Sequence, residues 1–209
     1  MMQITALEQD PADAERIRLH VDGAFRLALP AEVVLAERLR SGDRVSEERL
    51  AELERRDQAW RAREAALVLL AYRARSAEEL RRRLERKGFA PEIARACVDG
   101  LGELGMVDDA AFAETFVRDR IRLRPHGRRR LSRELRAKGV DEETATAALD
   151  EVMEREEVSD ADLAREAAAR WHPRAGEDDA RARRRLYGFL ARRGFGADAI
   201  RQVIEEKLG

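Results

Sequence analysis

The side chains able to do chemistry are concentrated between Arg118 and Lys138, in RDRIRLRPHGRRRLSRELRAK, where ten Lys/Arg face only Asp119 and Glu134. This local balance of +8 sits in a 209-residue chain whose 41 basic and 42 acidic residues nearly cancel, for a formal charge of −1. A basic patch on a near-neutral protein asks for an anionic partner. The stretch also reads as two helices and a turn: Phe112, Phe116, Val117 and Ile121 recur at helical spacing, Pro125-His126-Gly127 interrupts, and Leu131 and Leu135 resume at i, i+4. At 100° per residue, Arg129, Arg133 and Arg136 then point away from the leucines together. The competing reading is a solvated face, because with 40% of residues charged an arginine-rich helix needs no ligand to exist.

No other chemistry assembles. His20, His126 and His172 lie far apart, none with a partner at metal-ligand spacing, although His126 is placed to reach a phosphate. The pair Asp108-Asp109 has no histidine, glycine-rich loop or second acid cluster beside it, and helix capping accounts for it. No GxxxxGK[ST] loop occurs, so the chain is expected to be non-enzymatic and to need neither cofactor nor metal. The single Cys97 excludes an intramolecular disulfide, and in the series Ile93, Cys97, Val98, Leu101 it reads as a small buried hydrophobe. Trp60 and Trp171 read as packing rather than base-stacking residues, lying outside the basic face. With no apolar run of about 20 residues and no signal-type amino terminus, a soluble cytoplasmic protein is expected.

The elements that position these residues begin with a small β unit. Ile17–Val21 and Phe25–Leu29 alternate apolar and polar residues around Asp22-Gly23, a hairpin, with Ile4–Leu7 as a third strand. Pro30 opens a helix with Val33, Val34, Leu35 and Leu39 on its apolar side, and Ser46 opens a second, sparsely apolar one over 46–59 that reads as a solvated linker. Beyond residue 60 the chain repeats. AEELRRRLERKGF, RRRLSRELRAKGV and RARRRLYGFLARRGF superpose Leu80, Leu131 and Leu186, then Leu84, Leu135 and Leu190, then Gly88, Gly139 and Gly194, with Val98, Leu149 and Ile204 following in register.

Each repeat parses as three helices: 60–73, 77–87 and 91–104; 109–123, 127–138 and 141–156; 160–172, 179–193 and 196–208. Ser76 with Glu79 makes a capping box, Asp108 or Asp109 and Asp160 can cap the first helices, and the three glycines end the second helices. Lys87, Lys138 and Arg193 before those glycines suit helix carboxyl ends, whereas Arg129 with Arg184, Arg130 with Arg185, and Arg86 with Arg192 correspond between repeats without such a cause. The fold expected is mainly α, tandem three-helix repeats in an elongated array, with domains at 1–59, 60–107, 108–158 and 159–209.

Charge alternates in blocks as well: eleven acids over 141–168 against Arg155 and Arg165, then six arginines and no acid over 181–193. The segments LVLLAYRARSAEELRRRLERKGF and GMVDDAAFAETFVRDRIRLRPHGRRRLSRELRAKGV, with the three tandem units, resemble the RecX regulators of bacterial recombination, strongly over 60–158 and more weakly elsewhere. The family's basic motif falls on Arg124, Pro125, His126, Gly127, Arg128, Arg129, Arg130, Leu131 and Leu135, and its acidic-aromatic motif on Asp108, Asp109, Phe112 and Ala113. Met106-Val107 departs from the aromatic or Leu of relatives, which bears on packing.

The resemblance implies a monomeric, non-enzymatic protein that binds the RecA nucleoprotein filament, suppresses its ATPase, strand exchange and growth, and touches single- and double-stranded DNA more weakly, in DNA repair and the SOS response. Candidate contacts are Arg82, Arg86, Arg118, Arg122, Arg124, His126, Arg128, Arg129, Arg130, Arg133, Arg136, Arg184, Arg185 and Arg192. A direct DNA-binding module of transcription-factor type is the alternative; the alternating charge blocks favour the filament regulator, which meets protein and DNA together.

Overall fold

The period-two segment at the amino terminus folds as a sheet. In the computed structural model, which describes residues 2–209, β1 (Met2–Asp10), β2 (Asp13–Val21) and β3 (Ala24–Pro30) form an antiparallel meander. A two-residue β4 (Arg44–Val45) pairs with β1 and completes the order β3-β2-β1-β4. Asp22 and Gly23, at φ 50° and 83°, supply the positive dihedrals of the tight β2–β3 hairpin. Ile4, Leu19, Val21 and Leu29 face inward and cluster with Val45, Leu50 and Leu53.

Two expectations for the next segment change. Helix α1 (Ala31–Ala36) is short, and Leu35, expected on its apolar side, is 77% exposed. Val33 and Val34 already cover the side that packs on the sheet, and Leu35, a further 100° around, falls outside it. The helix opened by Ser46 and the one expected from residue 60 are a single 26-residue element, α2 (Glu47–Tyr72), because neither Pro nor Gly interrupts it. Its first half is not a solvated linker. Leu50 and Leu53 belong to the sheet core, and the buried Asp57 pairs with Arg16 at 2.7 Å.

The remaining helices are α3 (Ala77–Arg86), α4 (Pro91–Glu103), α5 (Asp109–Leu123), α6 (Arg128–Ala137), α7 (Glu142–Arg155), α8 (Asp160–Ala167), α9 (Asp179–Arg192) and α10 (Ala197–Leu208). The repeat register is physical: Leu80, Leu131 and Leu186, and Leu84, Leu135 and Leu190, are all fully buried. Gly88, Gly139 and Gly194 stand at φ 94°, 88° and 84°, the left-handed conformation that ends each second helix. Helix α8 stops short of the expected residue 172. Pro173 disfavours helical backbone at His172, and Lys207 Nζ donates to the Ala168 carbonyl at 2.6 Å.

The chain divides into two compact units, Met1–Arg73 with Arg81–Gly100, and Ala74–Leu80 with Leu101–Gly209. In the second, one apolar cluster runs from Phe112 to Ile204, so the second and third repeats share a core. Cys97 is half-buried rather than buried, and burial pushes its thiol up, away from thiolate reactivity.

Candidate nucleic-acid interface

The basic helices are held by a join that recurs between repeats. At the start of α6, the Gly127 N–H donates to the Arg193 carbonyl at 3.0 Å and the Arg129 N–H to the Gly194 carbonyl at 3.2 Å. The approach is close enough that a Cβ on Gly127 would overlap the Gly194 carbonyl, and one on Gly194 would overlap Arg130. One repeat earlier, the Ser76 hydroxyl donates to the Lys138 carbonyl, and a Cβ on Gly139 would overlap the Glu78 side chain. Thus α9, α6 and the first turn of α3 lie end to end, the carboxyl end of each against the amino end of the next. Their dipoles add head to tail.

An aspartate from the following repeat closes each join. Asp109 Oδ1 accepts from the Ala77 N–H at 2.8 Å, and Asp160 accepts from the N–H groups of Arg128 at 3.1 Å and Gly196 at 2.9 Å. Of the two candidates Asp108 and Asp109 it is Asp108 that caps its own helix, and the expectation that Asp160 caps α8 is corrected. Asp108 caps α5 through the Ala110 and Ala111 N–H groups, and Ser159 caps α8 in a capping box with Asp162. Burial, together with the Asp141 and Asp108 carboxylates, pushes the Asp109 carboxyl up against the opposing pull of the Ala77 N–H.

Within 118–138, seven of the ten cations have carboxylate partners. Arg118 and Arg122 reach Glu156, Arg120 and Arg130 share Glu134, Arg128 pairs with Asp150, Arg136 with Glu142, and Lys138 with Glu79. The acidic block of α7 thus answers much of the basic block beside it, which the linear order concealed. Arg129 and Arg133 are exposed on α6, Arg184 and Arg192 on α9, and Arg124 in the turn before α6; among the described residues none of these five enters an ion pair. Arg185 is committed inward, stacked 4.4 Å from the Trp171 ring and bonded to Glu177 at 2.8 Å. Arg82 and Arg86 lie one turn apart and exposed on α3, in the part of that helix belonging to the other unit.

His126 sits at the centre of the second unit's charge. Its Nδ1 is buried without a hydrogen bond, 3.8 Å from Glu134 Oε1. Burial first, then Arg130, Arg120 and Arg193 against the opposing Glu134, hold its imidazole below the usual histidine range. Burial opposes ionisation of Glu134, but hydrogen bonds from Arg130 and Arg120 prevail and keep its carboxyl low. Arg193 stacks 3.7 Å from the Phe189 ring, and burial with Arg130 and Arg192 disfavours its charged form. The missed signal was the pair Asp109 and Asp160, spaced like Ala77 and Arg128, whose N–H groups they accept from.

Three-helix domains in tandem, with a glycine and an aspartate at each join within the second unit, define a helical-repeat protein. The chain belongs to the RecX family: residues 62–101, 108–149 and 159–204 match its first, second and third three-helix domains. It is 42% identical over 159 residues to the Regulatory protein RecX of Amycolatopsis mediterranei, covering 76% of this chain and 89% of the relative. The Regulatory protein RecX of Clostridium botulinum (strain Eklund 17B / Type B) is 26% identical across 100% of this chain and 97% of its own length. Among solved structures, a crystal structure of regulatory protein RecX shares the fold over 98% of this chain and 100% of that one, with a TM-score of 0.79 at 22% identity. RecX from Lactobacillus salivarius does so over 72% of this chain and 96% of its own, at a TM-score of 0.58. No helix among the described residues is long and apolar enough to cross a membrane.

Proposed function

We propose that this chain is a non-enzymatic cytoplasmic regulator, acting as a monomer in DNA repair and the SOS response, that binds the RecA nucleoprotein filament and restrains its ATP hydrolysis, strand exchange and growth. The observation that carries this reading is RecX membership across all three tandem domains, taken as 60–107, 108–158 and 159–209. Several modest contacts on one chain act at high effective concentration, so tandem domains touching successive filament subunits restrain the motions of an ATPase cycle without a nucleotide site of their own. Arg129, Arg133, Arg184 and Arg192 supply accessory contacts to DNA phosphates.

The test adds the protein to RecA already assembled on single-stranded DNA and follows ATP hydrolysis. A fall in rate is expected; unchanged hydrolysis at every ratio of protein to RecA refutes the reading. The exposed, unpaired arginines also favour a second reading, a protein that binds naked DNA directly. Arg129→Glu with Arg133→Glu should flatten the salt dependence of binding to naked DNA, the slope falling by about 0.7 to 0.9 for each phosphate that is no longer neutralised. If that variant loses naked-DNA binding and all inhibition together, and inhibition by the parent appears only when it precedes RecA on the DNA, the second reading holds.

A further inference from the structure

Between the Pro125-His126 corner, the end of α8 and the end of α9 lies an open groove of about 690 Å³, lined among others by Leu123, Arg124, His126, Glu166, Arg170 and Arg193. Three guanidiniums meet one carboxylate there. Arg124 and Arg170 are exposed and, among the described residues, enter no ion pair, so nothing in the chain consumes their charge. Arg193 is held in place by its own helix: its guanidinium donates to the Phe189 carbonyl at 3.4 Å and stacks on the Phe189 ring. Leu123, 76% exposed, and Pro125 give the groove an apolar wall. Cations converging beside an apolar wall suit a phosphodiester with its sugar better than a bare anion or an apolar ligand.

We propose that this groove binds one backbone phosphate of a DNA strand between Arg124, Arg170 and Arg193, and that His126 is the residue through which acid strengthens the site. The proposal rests on the accessory DNA contact proposed above and not on the filament contact. The charged groups around His126 are Arg120 on α5, Arg130 and Glu134 on α6, and Arg193 beside α9, with Arg124, Glu166 and Arg170 across the groove. An anion among them favours the imidazolium, which burial first, and then the surrounding arginines, otherwise disfavour. By linkage, phosphate binding raises the His126 pKa, and a fall in pH tightens phosphate binding.

The experiment uses the full chain without RecA, a fluorescently labelled oligothymidylate, and pH stepped from about 8 to about 5.5, the range in which histidine titrates. Expected are tighter binding as pH falls, binding weaker by about tenfold in Arg124→Ala with Arg170→Ala, as when a charge-assisted hydrogen bond is removed, and a salt slope smaller by about 0.7 for the one phosphate released. His126→Gln should lose the acid tightening, its affinity no longer rising as pH falls. In parallel, inorganic phosphate should shift the His126 imidazole resonances of the parent and not of the Arg124→Ala, Arg170→Ala variant. The proposal is overturned by unaltered affinity and slope in that double variant, by acid tightening that survives His126→Gln, or by a parent protein that binds no oligothymidylate. Inorganic phosphate shifting His126 while the double variant binds DNA normally makes the groove a free-anion site, which also overturns it.

Discussion

Substituting Gly127 by Ala isolates the join between α9 and α6. Gly127 has φ −74°, which any residue adopts, so the new methyl brings no left-handed strain of its own. It would instead overlap the Gly194 carbonyl and the backbone of Phe195, neither of which is a flexible side-chain end. To admit it the helix ends must part by about 1 Å, carrying the 3.0 Å and 3.2 Å bonds from Gly127 and Arg129 beyond hydrogen-bond range. Two net hydrogen bonds at about 1 kcal/mol each, plus about 0.5 kcal/mol for Ala in place of Gly at a helix start, give a loss of about 2 to 3 kcal/mol.

Amide hydrogen exchange on the full chain reads this locally, where a two-unit protein makes a single melting midpoint ambiguous. The Arg129 amide should lose protection in Gly127→Ala. Gly88→Ala is the control: at φ 94° with no atom within 4 Å of a new Cβ, it costs about 1 kcal/mol of backbone strain and leaves Arg129 protected. If the Arg129 and Gly127 amides of Gly127→Ala exchange as in the parent, the join does not depend on the glycine, and close backbone approach is not what holds α6 against α9.

Asp109 gives a charge test. Its carboxyl is raised by burial and by Asp141 and Asp108, so a folded pKa above the unfolded one means that folding gains stability as pH falls through it. Asp109→Asn keeps an acceptor for the Ala77 N–H without the charge and should be at least as stable as the parent at neutral pH in urea denaturation; Asp109→Ala should lose about 1 kcal/mol, as when a helix cap is removed. Glu177 titrates the opposite way. Hydrogen bonds from Arg185 and the Arg174 N–H lower its carboxyl to about 2, so its stabilisation is present above the unfolded carboxyl value and lost as pH falls from about 4 toward 2. The Trp171 indole resonance, beneath Arg185, should change over that interval in the parent and not in Glu177→Gln.

What was legible in the chain followed from local periodicity. Leu131 and Leu135 lie one turn apart and both are buried, so the exposure of Arg129, Arg133 and Arg136 follows from helix geometry alone. The glycines at 88, 139 and 194 were readable because only one backbone conformation ends a helix in that way so often. What depended on distant partners was not legible. The pairing of Arg128 with Asp150 and of Arg122 with Glu156 joins residues 22 and 34 apart, and no spacing rule for a single helix reaches that far. The handover by which Asp109 and Asp160 close another repeat's helix has the same origin, since a cap in the next repeat looks in sequence like a cap for the helix that follows it. Helix α2 was divided in two because its apolar positions are sparse, although nothing in 47–72 stops a helix.

The joins also differ in where the closing carboxylate comes from. Helices α3 and α6, ten residues each, have their amino ends closed by an aspartate of the repeat that follows. Helix α9, fourteen residues long, is closed instead by its own Asp178, which accepts from the Arg181 N–H at 2.9 Å. Helix α3 also keeps its own Ser76, which accepts from the Glu79 N–H at 3.2 Å, so only α6, with Gly127 at its N-cap and no side-chain cap there, relies wholly on the next repeat. A copy of the second repeat inserted after Val158 would therefore bring with it the glycine at its Gly139 position and the aspartate at its Asp109 position that such a join uses.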